Sequence, residues 1–243
     1  TAMTRIHVAA ALSAGTEIEL PTEAARHIAQ VLRMRSGEAL TLFNGEGGEY
    51  AAVIVEAGRR DVRVRIDHFD AIDRESRLDV TLAQCVSKGD RMDYTIQKAV
   101  ELGVTRIIPV LSERSVVKLD AERWDKKLEH WRGVAVSACE QSGRTRMPEV
   151  TVVQKLDAWL AMPADGALRL VLAPTESVSL RTLAATAKIA LLIGPEGGLS
   201  DKEIATARQV GCIGIGLGPR RVRTETGGGA TLAALQVLWG DLG

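Results

Sequence analysis

From about residue 78 onward, short apolar segments alternate with segments of helical periodicity, and this alternation constrains the fold more than any other feature. The apolar segments, typical of buried strands, are residues 78–86, 106–111, 168–173, 189–193 and 212–217. The segments with helical spacing are residues 90–102, 121–141 and 231–239. This alternation favours an α/β fold, with a largely parallel sheet covered by helices on both faces.

The ends of these helices carry recognisable signals. Asp90 is typical of an N-cap, and Gly103 and Gly143 are typical helix stops. Ser200 and Glu203 have the spacing of a capping box, which predicts that a further helix begins there.

The first seventy residues have a different pattern. Segments with strand character are residues 5–8, 17–20, 39–43, 50–55 and 61–69. One helix is expected to begin at Thr22, with Ala25, Ile28, Val31 and Leu32 on one side, and turn signals separate the strands. In the last strand segment, Val62, Val64 and Ile66 alternate with charged residues, the period-two pattern of a strand with one buried face. This pattern predicts a small β-barrel with a single helix. Because residues 70–77 are mostly polar, we expect a barrel domain at 1–72 and an α/β domain at 73–243.

Composition limits the possible functions. The chain is 46% hydrophobic and has no apolar run long enough to span a membrane. Its 31 basic and 31 acidic residues cancel, so any nucleic-acid contact must depend on local patches. The three cysteines and four histidines lack metal-ligand spacing. We therefore expect a reduced, cytoplasmic protein without a metal site or a membrane segment.

The first motif of chemical interest is residues 193–200, IGPEGGLS, where a buried strand meets the capped helix. Ligands of open α/β sheets bind at the carboxyl ends of strands, and glycine lets the backbone approach them closely. The motif is therefore a candidate binding loop, although a purely structural strand-to-helix turn has the same composition.

A second glycine-rich strand end spans residues 214–226, GIGLGPRRVRTET. The dinucleotide fingerprint fails here because Pro219 occupies the position of its third glycine, and no Gly-Lys-Ser/Thr follows for a phosphate-binding P-loop. Arg220, Arg221 and Arg223 are suited to phosphate or RNA. A solvated loop with an Arg–Glu charge pair is the alternative.

Five groups of residues, in order along the chain, resemble the bacterial small-subunit ribosomal RNA (uridine-N3) methyltransferase family. They are His27 with VLR at 31–33 and Gly37; KGDRMD at 88–93 with QKAVELGV at 97–104; SERSVV at 112–117; EQSGR at 140–144; and the two glycine-rich motifs. The resemblance implies a SPOUT fold with a C-terminal trefoil knot, preceded by a PUA-like β-barrel. It also implies a homodimer and the cofactor S-adenosylmethionine.

The resemblance assigns the pocket to three segments. The implied cofactor-binding residues are Leu172, Ala173, Pro174, Ile193, Gly194, Pro195, Glu196, Gly197, Ile215, Leu217, Gly218, Val222 and Arg223. Glu196 has an alternative role as a cap for the helix at Ser200. The candidate catalytic residues are Arg223, which would stabilise a uracil oxyanion, and Glu225, while a carboxylate or a water would accept the N3 proton. Glu225 has an alternative role as a structural partner of Arg223.

The implied substrate is 16S ribosomal RNA, in the assembled small subunit. Candidate RNA-binding residues are His27, Arg33, Arg35, Arg114, Lys118, Arg144 and Arg146. The chain departs from the family pattern at Arg221 and at residues 227–229, where three glycines disfavour a helix by about 1 kcal/mol each. We expect the segment after Arg223 to be mobile before ligand binds. The alternatives are another SPOUT enzyme, acting on ribose 2′-O or on tRNA, and a non-catalytic RNA-binding or ribosome-assembly module.

Overall fold

The structure is a computed structural model that describes residues 3–115, 117–175 and 177–243. Val116, part of the 112–117 motif, lies outside the described residues. The chain divides into two compact units, Thr1–Glu75 with Cys139–Met147, and Ser76–Ala138 with Pro148–Gly243. The boundary expected after residue 72 lies three residues before this division, and the sequence did not predict that 139–147 groups with the first unit.

The first unit is built on a five-stranded sheet in the order β1-β3-β4-β5-β2. Its elements are β1 (Arg5–His7), β2 (Glu17–Glu19), α1 (Thr22–Arg26), a π-helical segment (His27–Leu32), β3 (Ala39–Phe43), β4 (Glu49–Ala57) and β5 (Val62–Asp70). Strand β1 pairs parallel with β3, and the other pairs are antiparallel. The period-two pattern of β5 is confirmed, because Val62, Val64 and Ile66 are buried in a core of aliphatic side chains.

The helix that follows β2 differs from its expected form. Ala25 and Ile28 are buried as the spacing predicts, but Val31 is 65% exposed and Leu32 is 39% exposed. From His27 the helix widens to π geometry, which turns residues 31–32 away from the buried face. Arg33 then ends it with a left-handed backbone, φ 54°.

The second unit is a parallel sheet with the strand order β12-β10-β11-β6-β7-β8, and β9 also pairs with β7. Its strands are β6 (Asp79–Cys85), β7 (Arg106–Leu111), β8 (Glu149–Val150), β9 (Gln154–Lys155), β10 (Leu168–Leu172), β11 (Lys188–Ile193) and β12 (Ile213–Ile215). Its helices are α2 (Asp90–Glu101), α3 (Ala121–Ser142), α4 (Leu156–Ala161), α5 (Asp201–Gln209) and α6 (Thr224–Trp239), with a 3₁₀ turn at Leu180–Thr182. The predicted α/β class with a parallel sheet is confirmed.

The ends of α2, α3 and α5 agree with the predicted helix signals, except at the start of α2. Gly103 and Gly143 follow α2 and α3 with positive φ angles of 81° and 86°, as expected of helix stops. The capping box is confirmed, since the Ser200 side chain accepts from the Glu203 amide and Glu203 accepts from the Ser200 amide. Asp90 does not cap α2; Gly89 occupies the N-cap position with φ 58°, and Asp90 lies in the first helical turn.

Candidate functional site

Three neighbouring strands end at the same edge of the parallel sheet. Strand β10 lies between β11 and β12, with Leu172 opposite Ile215 and Val171 opposite Leu192. The residues that follow these strands therefore lie side by side. We call them the β10 loop (173–175), the β11 loop (194–200) and the β12 loop (216–223). The thirteen residues assigned to the pocket by resemblance lie on these loops or at the carboxyl ends of their strands, so the structure brings them together.

The β11 loop is a compact turn. The Gly198 amide donates to the carbonyl of Pro195 at 2.9 Å, and Gly198 has φ 72°. A Cβ at Gly194 would lie 3.1 Å from the Leu199 side chain and 3.2 Å from the Leu199 nitrogen. Arg114 donates from Nη1 to the carbonyl of Gly197 at 3.0 Å. Because residues 194 and 198 are glycines, the backbone of the β11 loop can turn this tightly. The hydrogen bond from Arg114 holds the turn in place.

Glu196 is bound to the beginning of α2. Its Oε1 accepts from the Lys88 amide at 3.0 Å and from Arg91 Nη1 at 3.1 Å. Burial alone would raise the pKa of Glu196, but hydrogen bonds from the amides of Lys88 and of Glu196 itself, together with the Arg91 guanidinium, hold it below its ordinary value. The alternative that Glu196 caps α5 is wrong, because Glu203 occupies that role.

The β12 loop is more open. The Ala173 amide donates to Ile215 at 3.1 Å, and the Gly216 amide donates to Val178 at 3.3 Å. A Cβ at Gly216 would lie 2.6 Å from Ser177 Oγ, so a larger residue does not fit without a shift. Beyond this point the loop is exposed from Gly218 to Arg223.

Helix α6 begins at Thr224, seven residues before the predicted start, so the expected late start is wrong. The mobility of this segment before ligand binds stays a prediction. Thr224 Oγ1 donates to the carbonyl of Gly194 at 2.6 Å and accepts from Gln84 Nε2 at 2.9 Å. A Cβ at Gly227 would lie 2.7 Å from Leu172 Cδ2. Glycine at 227 thus lets α6 pack closely on the end of β10, and the three glycines are helical despite their low propensity.

Arg223 and Glu225 differ in exposure. Arg223 precedes the first turn of α6 and is exposed. The Glu225 side chain is 16% exposed, and its Oε1 lies 3.9 Å from Arg91 Nε. The ion pair of Glu225 is thus with Arg91. This differs from the alternative considered for Glu225, a structural partner of Arg223. Its other oxygen, Oε2, is buried and has no hydrogen-bond partner among the described residues.

The expected RNA-binding residues occupy several environments. Exposed members are Arg33, Arg35, Arg114, Lys118 and Arg146, whereas His27 is half-buried at the start of the π-helical segment. Arg144 is only 6% exposed, and its Nε donates to Glu75 at 3.2 Å. The expectation that Arg144 is available to RNA is wrong, because this buried ion pair encloses its guanidinium.

The residues at this edge fit a small polar ligand such as S-adenosylmethionine. The β11 and β12 loops present backbone amides and carbonyls at positions where glycine leaves room for close approach. Glu225 Oε2 and Ser87 Oγ, which follows β6, are buried polar atoms without a partner among the described residues. Buried polar atoms are normally satisfied, so a water or a ligand group is expected to bond to these atoms.

Sequence reasoning missed the residues that hold the loops in place. Arg91, Gln84 and Thr224 contact the β11 loop or α6, but none was assigned a role. Arg91 lies inside the KGDRMD motif, which was the available signal. The contacts of Gln84 and Thr224 join residues 140 positions apart and have no local signature.

Two further findings concern the described parts of the chain. No helix there is long and apolar enough to cross a membrane. No group of three or more His, Cys, Asp and Glu side chains in the same ranges is arranged to hold a metal ion.

Comparisons with known proteins cover nearly the whole chain. Residues 74–238 match a family model described as an RNA methyltransferase domain, and residues 20–67 match one described as an RNA methyltransferase PUA domain. The chain is 34% identical over 239 residues to ribosomal RNA small subunit methyltransferase E of Buchnera aphidicola, covering 98% of this chain and 97% of that protein. It is 32% identical over 226 residues to the protein of the same name from Bacillus subtilis, covering 89% and 87%.

Solved structures agree with this relationship. A Neisseria gonorrhoeae ribosomal RNA small subunit methyltransferase E, bound to S-adenosyl methionine, superposes with TM-score 0.95 at 40% identity, and the match covers both chains fully. A methyltransferase of Legionella pneumophila in complex with the cofactor SAM superposes with TM-score 0.96 at 41% identity, again over both full chains. On its fold, its two domain matches and its full-length relatives, this chain belongs to the ribosomal RNA small subunit methyltransferase E family.

Proposed function

We propose that the protein is an S-adenosylmethionine-dependent methyltransferase that methylates N3 of a specific uridine in 16S ribosomal RNA. The observation that carries this proposal is the convergence of three loops at one edge of the parallel sheet, in a chain whose relatives are named as ribosomal RNA small subunit methyltransferases and, in solved structures, bind this cofactor. In open α/β folds, ligands bind at the carboxyl ends of the strands.

The β10, β11 and β12 loops form the proposed cofactor pocket. Gly194, Gly197 and Gly218 are proposed to let the cofactor approach the backbone closely, with Leu172, Ile193 and Ile215 at the strand ends as its apolar walls. When bound, S-adenosylmethionine supplies the methyl group, and the task of the protein is to position the two reactants. We also propose that the chain passes through a trefoil knot at these loops, as the family resemblance implies.

Arg223 and Glu225 are the proposed catalytic residues. The uracil N3 must lose its proton as it attacks a methyl carbon, and negative charge develops on the neighbouring oxygens. The exposed Arg223 guanidinium is placed at the loop edge to stabilise that charge. Glu225 Oε2, buried and unpartnered among the described residues, is the proposed proton acceptor.

RNA binding is proposed to use surface cations in both units. The exposed candidates are Arg33, Arg35, Arg114, Lys118 and Arg146, and His27 is half-buried. Such side chains contact phosphates and position RNA without reading its sequence. Because the net charge is zero, we expect binding to be salt-sensitive and to require the assembled small subunit. We further propose that the protein acts in the cytoplasm as a homodimer with the cofactor pocket beside the subunit interface.

A methyl-transfer assay tests the proposed function. The protein is incubated with methyl-labelled cofactor and, separately, small ribosomal subunits, naked 16S RNA, large subunits and tRNA. The expected result is label in 16S RNA, strongest with small subunits. Label in tRNA would support the rival SPOUT activity, and cofactor binding by calorimetry without label in any RNA would support a non-catalytic module.

A further inference from the structure

One arginine outside the assigned pocket is shared by two carboxylates. Arg91, in the first turn of α2, donates from Nη1 to Glu196 at 3.1 Å and places Nε 3.9 Å from Glu225 Oε1. Glu196 belongs to the β11 loop, and Glu225 belongs to the first turn of α6. We propose that Arg91 is a positioning residue that couples the cofactor loop to the proton acceptor. This inference rests on the function proposed above.

The chemistry of the guanidinium suits this role. Its nitrogens form a rigid planar fork, so one side chain can direct separate N–H groups at two acceptors. Arg91 donates a hydrogen bond from Nη1 to Glu196, whereas its Nε faces Glu225 Oε1 at 3.9 Å, an ion-pair distance. A lysine ammonium is a single point charge on a flexible stem, and it does not reproduce this two-sided geometry.

The state of each carboxylate shows what the contact does. Glu196 Oε1 already accepts from the Lys88 amide, so Arg91 adds a second donor that fixes the β11 loop against α2. In Glu225, the Arg91 guanidinium faces Oε1, whereas Oε2 is buried without a partner in the described ranges. Arg91 thereby orients Glu225 so that Oε2 is the oxygen left to accept a proton.

The test compares Arg91→Ala, Arg91→Lys and the matched control Arg106→Ala. Arg106 also pairs with a glutamate, Glu149 at 2.7 Å, but lies exposed at the start of β7, away from the loops. Three quantities are measured in each variant. They are amide exchange at Lys88 and Gly198 in the cofactor-free protein, the Kd for S-adenosylmethionine by calorimetry, and kcat with KM on small ribosomal subunits.

In Arg91→Ala we expect exchange at both amides to accelerate about tenfold, because the loop loses one of its tethers. The Kd should rise about fivefold, and kcat at saturating cofactor should fall about thirtyfold, since misplacement of a reacting group reduces turnover more than binding. KM for the subunit should stay within about twofold. Arg91→Lys should recover the Kd more fully than kcat, and Arg106→Ala should match the wild type.

Two results would overturn the inference. One is an Arg91→Ala protein whose exchange, Kd and kcat equal those of Arg106→Ala. The other is full recovery of kcat by Arg91→Lys, which would show that only the positive charge of Arg91 matters and not the geometry of its guanidinium. Failure of the proposed function is recognised separately, because the wild type itself would then leave 16S RNA unlabelled. The exchange measurement needs no activity, so unchanged exchange in both Arg91 variants overturns the coupling in that case also.

Discussion

The β11 and β12 loops are both glycine-rich strand ends, yet the structure treats them differently. The β11 loop is fixed on several sides, with Thr224 bonded to Gly194, Arg91 to Glu196 and Arg114 to Gly197. The β12 loop is bonded near its start, through Gly216, and is exposed from Gly218 onward. Similar composition therefore serves two purposes. We expect substitutions that loosen the β11 loop to act mainly on cofactor affinity. Substitutions of the arginines in the exposed β12 loop should act mainly on turnover.

Arg223→Ala should have the largest effect. Removing a donor aimed at developing negative charge typically lowers kcat by about 10²–10³. Arg223 is also among the residues assigned to the pocket, so the Kd for cofactor should rise as well, but by far less than kcat falls. Single-turnover methylation and calorimetry check the two quantities. The control is Arg221→Ala, an exposed neighbour; equal losses of turnover in both variants would show that the loop provides only general positive charge.

Thr224→Val tests the tie between α6 and the β11 loop. The substitution leaves the Gly194 carbonyl and Gln84 Nε2 without their shared partner in a buried place, at a cost of about 1–3 kcal/mol in the free energy of unfolding. Urea denaturation measures this change. Thr226→Val, in the same turn but exposed, is the control and should change stability by less than about 0.5 kcal/mol. Similar losses of unfolding free energy in both variants would mean that the hydrogen bonds of Thr224 contribute nothing to stability.

Arg114→Ala should weaken cofactor binding by about threefold to tenfold, because the Gly197 carbonyl loses its charged donor. The result would also decide between two roles for Arg114, which the sequence assigned to RNA. Calorimetry gives the cofactor Kd, and filter binding gives the affinity for small subunits. Arg123→Ala, an exposed α3 residue paired with Asp120, serves as the control. A loss of affinity for small subunits with an unchanged cofactor Kd would show that Arg114 contacts RNA and does not support the β11 loop.

Glu196→Gln should have the smallest effect and a defined pH dependence. Since the folded-state pKa of Glu196 is lowered from 4.5, its carboxylate stabilises the native protein above that pH. This stabilisation, below about 1 kcal/mol for so accessible a pair, is lost as pH falls through the lowered folded value. The difference in unfolding free energy between wild type and variant should therefore be constant from pH 7 to 5 and shrink below 4.5. A difference that grows on acidification would contradict the assigned contacts.

The sequence predicted those features that are encoded locally. Alternating Val62, Val64 and Ile66, the Ser200–Glu203 box and the order of apolar segments identified strands, a helix start and the parallel sheet. Features that depend on contacts between residues far apart along the chain were missed or predicted wrongly. The start of α6 at Thr224 depends on its bond to Gly194, and the burial of Arg144 depends on its pairing with Glu75.

The candidate site shows the same division. Two of the pocket loops could be identified from the sequence because glycine and proline mark their strand ends, whereas the family resemblance added residues 172–174 and supplied the ligand. Their juxtaposition required the strand order, in which β10 lies between β12 and β11. The role of Arg91 required side-chain distances to two carboxylates more than 100 residues away along the chain, and no periodicity or spacing reports such distances.

The central claim, methyl transfer to uracil N3 at the edge formed by these loops, is tested most directly by nucleoside mass spectrometry. Small subunits lacking the modification are treated with the wild-type protein and methyl-labelled cofactor, and their 16S RNA is digested to nucleosides. We expect label to appear as 3-methyluridine at a single site and to disappear with Arg223→Ala. Label recovered as a 2′-O-methyl nucleoside, or an equal yield of 3-methyluridine from the Arg223 variant, would contradict it.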